Sequence, residues 1–154
     1  MAGRVEGIRI AGAAGAPMET VWRIAAHAGV GLEGDRYDTG TGEFSGTPGT
    51  GRGLTLIAAE AIEHANKAHP GLDLTAAETR RNVTVRGVDL DALIGREFRI
   101  GSVRCRGARR AEPCAYLEGL LEKPVLTALV GRGGLRADIL QDGEIAVGDE
   151  VVAV

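Results

Sequence analysis

A thiol placed just beyond a strongly basic strand is the part of this chain best suited to chemistry. Val103-Arg104-Cys105-Arg106-Gly107-Ala108-Arg109-Arg110 reads as a strand, and Glu112-Pro113-Cys114 follows it. The thiolate attacks electrophiles, ligates soft metals or carries sulfur, and nearby guanidinium groups favour it by lowering the thiol pKa. Pro113 fixes its own φ and pushes Glu112 away from helix. The spacing therefore predicts that the strand ends before Cys114, which is displayed on a rigid turn where functional groups tend to sit. The competing account is a buried cysteine packing as a small hydrophobe. Glu112 opposes Arg109 and Arg110 by raising the thiol pKa. Cys105 alternates with Val103 on the inner face of the strand and is read as core.

Other chemical signatures fail on inspection. Gly46-Thr-Pro-Gly-Thr-Gly51-Arg52-Gly53 has the glycine spacing of a phosphate loop, but Arg52 and Gly53 stand where lysine and a hydroxyl are required. His64 and His69 are separated by a helix end, and His27 stands alone, so no zinc ligand set converges. Neither Ser45 nor Ser102 lies in a Gly-x-Ser-x-Gly elbow.

The elements that must position Cys114 are mostly short and extended. Arg4–Ile10 predicts an opening strand with a bulge, and Glu19–Ala26 a second strand. Residues 29–37 form a turn-rich connection, and residues 39–53 a loop rich in glycine and threonine. Leu54–Ile57 is a short apolar strand running into an alanine-rich helix over Ala58–Ala68, which His69-Pro70-Gly71 stops. Thr75-Ala-Ala-Glu78 has the spacing of a capping box. Val83 and Val85 alternate in a strand over Asn82–Arg86, and Asp89–Ile94 gives one or two helical turns ended by Gly95. Glu97–Arg110 makes two strands or one bent strand interrupted at Gly101. Ala115–Leu121 and Val125–Val130 are helical, with Pro124 between them. Leu135–Leu140, Asp142-Gly143 and Glu144–Val147 predict a hairpin with a type I′ turn, and Val151–Val154 closes the sheet.

Composition bounds the answer. The 154 residues fit one domain, spanning 1–154, that buries about 70% of its unfolded surface. The 24 glycines among short valine- and isoleucine-rich runs suggest turns, bulges and barrel corners more than long helices. A net charge of -3 gives no support for nucleic-acid or membrane-surface binding. No apolar run approaches the ~18 residues of a membrane span. Two cysteines make no disulfide framework, so a cytoplasmic location is expected.

Taken in order, Gly31-Leu-Glu-Gly-Asp35-Arg36, Arg80-Arg81-Asn82, Gly87-x-x-Leu90-x-x-Leu93-x-Gly95 and Pro113-Cys114 resemble the MOSC domain, named for the C-terminal part of molybdenum-cofactor sulfurases. The stretch Gly131-Arg-Gly-Gly134-Leu-Arg-Ala-Asp138, followed by Ile145-x-Val147-Gly148-Asp149, is similar to its closing segment. Two positions differ from the family's usual pattern: Tyr37 stands where histidine is common, and Ala111-Glu112 where a basic residue often precedes Pro-Cys.

The resemblance implies a mainly β fold, a distorted β-barrel with a few peripheral helices. It implies a molybdenum cofactor (molybdopterin), with Cys114 as the ligand to molybdenum or the carrier of sulfur destined for it. A thiolate suits a soft metal site, and a persulfide on the same atom suits sulfur donation. Arg80 would fork onto the cofactor phosphate and Asn82 hold a polar ring edge, with Asp35, Arg36 and Arg110 at the same pocket. Bland accounts compete: Arg80 covering the sheet with its stem, Asn82 bonding its own backbone, and Asp35 with Arg36 as a salt bridge. Three functions follow: a cofactor-binding or sulfur-carrier domain served by a cysteine desulfurase, a small molybdoenzyme reducing N-hydroxylated substrates with a reductase partner, or a non-catalytic binding module. Pyridoxal phosphate is not expected on this chain, because neither Lys67 nor Lys123 lies in a Schiff-base setting.

Overall fold

A computed structural model describes residues 2–13, 15–35, 51, 53–113 and 115–154, with Ala115 and Tyr116 described by backbone alone. In chain order the strands and helices are β1 (Gly3–Ile10), β2 (Glu19–Val21), β3 (Arg23–His27), β4 (Gly31–Leu32), β5 (Leu54–Ala58), α1 (Ala59–Ala68), β6 (Val83–Arg86), β7 (Glu97–Ile100), β8 (Val103–Arg110), α2 (Ala115–Leu121), α3 (Val125–Ala128), β9 (Leu135–Ile139), β10 (Gly143–Ala146) and β11 (Glu150–Ala153). Two 3-10 turns, Ala77–Thr79 and Asp91–Leu93, fall where the capping box and the Asp89–Ile94 pattern predict short helical pieces.

Seven strands close into a barrel in the order β1-β6-β5-β9-β8-β7-β11, with β11 returning to β1. Among the described residues the β5–β6 pair is the one parallel strand pair of the barrel. The last strand does close the sheet: Val151 pairs with Gly3 on one side and Ile100 on the other. The expected bulge in β1 lies between Val5 and Gly7, where Glu6 is the extra residue against β6. A second irregularity lies in β8 between Gly107 and Arg109. Such insertions increase local twist and let a small barrel close.

Alternation explains what fills the barrel. Val83 and Val85 of β6, Leu54 and Leu56 of β5, and Val103 and Cys105 of β8 all join one buried cluster around Phe98 and Ile100. Four residues of β5, Leu54 to Ile57, are buried, because the outer face of this strand is covered as well. There Ile57 packs with Ala61, Ile62 and Ala65 of α1 and with Leu117, Val125 and Leu129 from the α2–α3 segment. The α2 helix that this cluster anchors through Leu117 begins at Ala115.

Two sequence expectations are corrected. The Glu19–Ala26 strand is two strands, broken at Trp22: β2 pairs with β1, while β3 joins a separate sheet in the order β10-β3-β4. The Leu135–Val147 hairpin does not form. Both edges of β9 are occupied, by β8 and β5, so β10 has no place beside it and pairs with β3 instead. Neither Asp142 nor Gly143 has the positive φ of a type I′ turn. The Asp142 carboxylate accepts the Ala28 N–H at 2.7 Å, serving the β3–β4 connection rather than its own turn.

Candidate functional site

The site grows from the junction between the Ala77–Thr79 turn and β6. Thr75 and Glu78 form the capping box reciprocally: the Glu78 N–H donates to Thr75 Oγ1 at 3.3 Å, and the Thr75 N–H to Glu78 Oε1 at 3.0 Å. Lys123 Nζ donates to the same carboxylate at 2.9 Å. Burial alone would raise the Glu78 pKa, but the hydrogen bonds from Lys123 and Thr75 outweigh it and hold the carboxyl below its ordinary value. Arg80 then takes a left-handed backbone, φ 59°, which is sparsely populated for a residue with a Cβ and marks a locally strained turn. Beyond it, Arg80, Arg81 and Asn82 are all buried.

These three neighbours have different tasks. Arg80 borders a cleft of about 240 Å3 lined by Gly15, Pro17, Met18, Ala77, Glu78, Leu120 and Leu121, and its Nη1 donates to the Ala16 carbonyl at 2.6 Å. Arg81 points to the end of β8: Nε donates to Gly133 O at 2.8 Å, and Nη2 to Ala111 O at 2.9 Å and Glu112 O at 3.2 Å. Asn82 ties strands together. Its Oδ1 accepts from the Thr55 N–H at 3.1 Å and Oγ1 at 3.2 Å, its Nδ2 donates to Arg9 O at 3.1 Å, and its own N–H donates to Thr55 Oγ1 at 2.9 Å. The Asn82 amide thus joins β1, β5 and the entry to β6.

The turn after β8 is held from several sides. The Ala111 N–H donates to Gly134 O at 2.9 Å, and the Gly131 N–H to the Glu112 carboxylate at 3.3 Å. A Cβ on Gly133 would lie 2.1 Å from Ala111 O, so only glycine lets the two segments come this close. Pro113 is buried against this frame, and α2 starts at Ala115. Cys114 and Arg36 lie outside the described residues. So does most of the 39–53 loop.

The remaining predicted site residues are placed as follows. Asp35 is fully buried after β4, with Oδ1 accepting the Ala11 N–H at 3.0 Å, so it anchors the exit of β1. Arg110 is turned to solvent and forks onto Asp91, Nε to Oδ1 at 3.2 Å and Nη2 to Oδ2 at 2.8 Å, a pairing that raises its pKa. Cys105 is wholly buried, and burial, reinforced by the charge of Asp138, pushes its thiol up to about 12. Sequence reasoning missed Arg81. Its acceptors are backbone carbonyls, which leave no residue-type signature; only its place between Arg80 and Asn82 marks it.

A family model, the MOSC domain, matches residues 43–152. The chain belongs to the MOSC domain family, which is associated with the molybdenum cofactor. The fold is similar to that in the crystal structure of the YuaD protein from Bacillus subtilis, with a TM-score of 0.79 and 17% identity over 98% of this chain and 94% of that one. It is also similar to YiiM from Geobacillus stearothermophilus (TM-score 0.75, 17% identity, 99% and 75% of the two chains) and to YiiM from Escherichia coli (0.70, 17%, 98% and 69%). These likenesses establish the expected barrel. No curated protein matches the sequence. Among the described residues no cluster of histidine, cysteine, aspartate and glutamate has the makings of a metal site, and no helix is long and apolar enough to cross a membrane.

The residues fit the family's cofactor in kind. Arg80 supplies a largely buried cation at the margin of a cleft, suited to an anionic group, and a cysteine thiol is the soft donor that molybdenum takes.

Proposed function

We propose that this chain is a molybdenum-cofactor binding or sulfur-carrier domain, in which the Cys114 thiolate holds molybdenum or a transferable sulfur and Arg80 binds the cofactor's phosphate. The observation that carries this reading is the cleft shared by Arg80 and α2. The helix that begins directly after Cys114 lines it with Leu120 and Leu121, together with Arg80, whose backbone is strained. When bound, the cofactor supplies two-electron redox chemistry at molybdenum. The chain's own part is to orient and to exclude water. Arg80 holds the anionic end, and Leu120 and Leu121 give the cleft an apolar wall. Asn82 and Asp35 support the frame.

As a sulfur carrier, the Cys114 thiolate would attack a donor persulfide. A new S–S bond forms at Cys114, the donor's S–S bond breaks, and the donor cysteine leaves as a thiolate. A cysteine desulfurase is the partner class that generates such a persulfide. The reading is tested by Arg80→Lys, which keeps the charge but removes the planar fork. Cofactor retention in protein purified from a cofactor-producing host should weaken by about 1.5–3 kcal/mol, the range for a charge-assisted contact. Unchanged retention would remove Arg80 from the site.

A further inference from the structure

We propose that Lys123 and Glu78 form a latch joining two walls of the Arg80 cleft, and that the end of α2 is released from it to admit a ligand the size of a pterin phosphate; the proposal rests on the reading of this cleft as the cofactor's site. The cleft holds about 240 Å3. Sites that enclose ligands of this kind usually hold about 300–1,000 Å3, so one wall has to move.

Which wall moves follows from how each is held. The wall of Ala77, Glu78 and Arg80 is fixed twice. The capping box closes on Glu78, and the Asn66 amide bonds the Leu74 backbone in both directions, Nδ2 to Leu74 O at 2.9 Å and the Leu74 N–H to Oδ1 at 2.7 Å. The α2 wall is pinned at its two ends, by Leu117 and Val125 in the second buried cluster. Between those pins Leu120 is 43% exposed, and Leu121 rests half-buried on the cluster. Lys123 joins this span to the fixed wall, its Nζ donating to Glu78 Oε1 at 2.9 Å and to Asp73 O at 3.0 Å. Glu122 and Lys123 also border a cavity of about 530 Å3 beside the end of α1. The span can therefore withdraw without entering a close-packed core. Strain gathers at the same contact. Among the described residues three non-glycines have a left-handed backbone, Asp73, Arg80 and Glu122, with φ of 47°, 59° and 54°. Asp73 gives the latch its carbonyl, Glu122 precedes Lys123, and Arg80 follows Glu78 by two positions. Strain of this kind persists where the surroundings hold it, and it clusters at ligand clamps and switches.

The test follows association of neopterin phosphate, a fluorescent pterin carrying a phosphate, by stopped flow. In wild-type protein the observed rate should level off as ligand concentration rises, because opening limits entry. Lys123→Met keeps an unbranched apolar stem and removes the ammonium. It should raise the plateau about tenfold, the scale of one lost charge-assisted contact. Inorganic phosphate, small enough for the closed cleft, should bind both proteins alike. Hydrogen exchange reads the latch without any ligand. The Glu122 amide, bonded to Glu118 O at 2.8 Å, should exchange faster in Lys123→Met, while the amides of α1 and β6 keep their rates. Wild-type rates in either measurement on folded Lys123→Met would overturn the proposal, as would a wild-type association rate that rises with ligand and never levels off. If Lys123→Met fails to fold, the wild-type concentration dependence decides. If neither neopterin phosphate nor inorganic phosphate binds, the reading of the cleft as a cofactor site falls, and the exchange comparison alone decides the latch.

Discussion

Replacing Asn82 by alanine would test how the barrel supports the site, because this amide stands where three strands meet. The substitution removes two hydrogen bonds into Oδ1, from the Thr55 N–H and hydroxyl, and one from Nδ2 to Arg9 O. Asn82 is 1% exposed and Thr55 2%, so water does not replace the lost partners. Three bonds at about 1 kcal/mol each, with about 1–3 kcal/mol more for the Thr55 donor left without its side-chain acceptor, give a loss of ~4–6 kcal/mol. That is a large share of the ~5–15 kcal/mol typical of a native domain. Urea unfolding should show a lower midpoint at unchanged slope. Asn82→Asp should cost as much at neutral pH. It retains the acceptor for Thr55, but sets a second carboxylate oxygen against Arg9 O and buries a charge. A loss below about 1 kcal/mol for Asn82→Ala would refute the reasoning and return Asn82 to the role of a cofactor contact.

Two further outcomes follow from the same geometry. Arg110→Ala should leave both cofactor retention and the melting temperature unchanged, since its guanidinium pairs with an exposed carboxylate where such bridges contribute little; a several-fold loss of retention would put Arg110 back at the pocket. Cys105, with its thiol pushed up to about 12 by burial and Asp138, should resist iodoacetamide until the protein unfolds. Cys105→Ser should cost about 1–3 kcal/mol for a hydroxyl in the core, measured by thermal melting, and spare cofactor loading.

Much of the barrel is legible in the sequence because local rules and the fold agree there. Val83 and Val85 alternate into the core, the apolar run Leu54–Ile57 forms the strand buried on both faces, and His69-Pro70-Gly71 ends α1 where expected. The hairpin failed because a strong local turn signal at Asp142-Gly143 met a strand whose edges were already taken by partners distant in sequence. The site divides in the same way. Cys114 and Arg80 carry residue types that announce chemistry. The supporting roles of Asn82 and Arg81 depend on acceptors and donors 27 to 73 positions away, most of them backbone groups. No spacing rule reaches that far. Arg110 illustrates the converse: the resemblance implied a place at the pocket, and the guanidinium forks onto Asp91 of the 3-10 turn.

The central claim is that Cys114 is the point of attachment, and one comparison tests it most directly. Molybdenum, pterin fluorescence and sulfane sulfur are measured on wild-type, Cys114→Ser and Cys105→Ser proteins purified from a cofactor-producing host. A neutral hydroxyl is a poor soft ligand and cannot form a persulfide. The account predicts loading of the wild type and Cys105→Ser, and none of a folded Cys114→Ser. Equal loading of Cys114→Ser and wild type would contradict it.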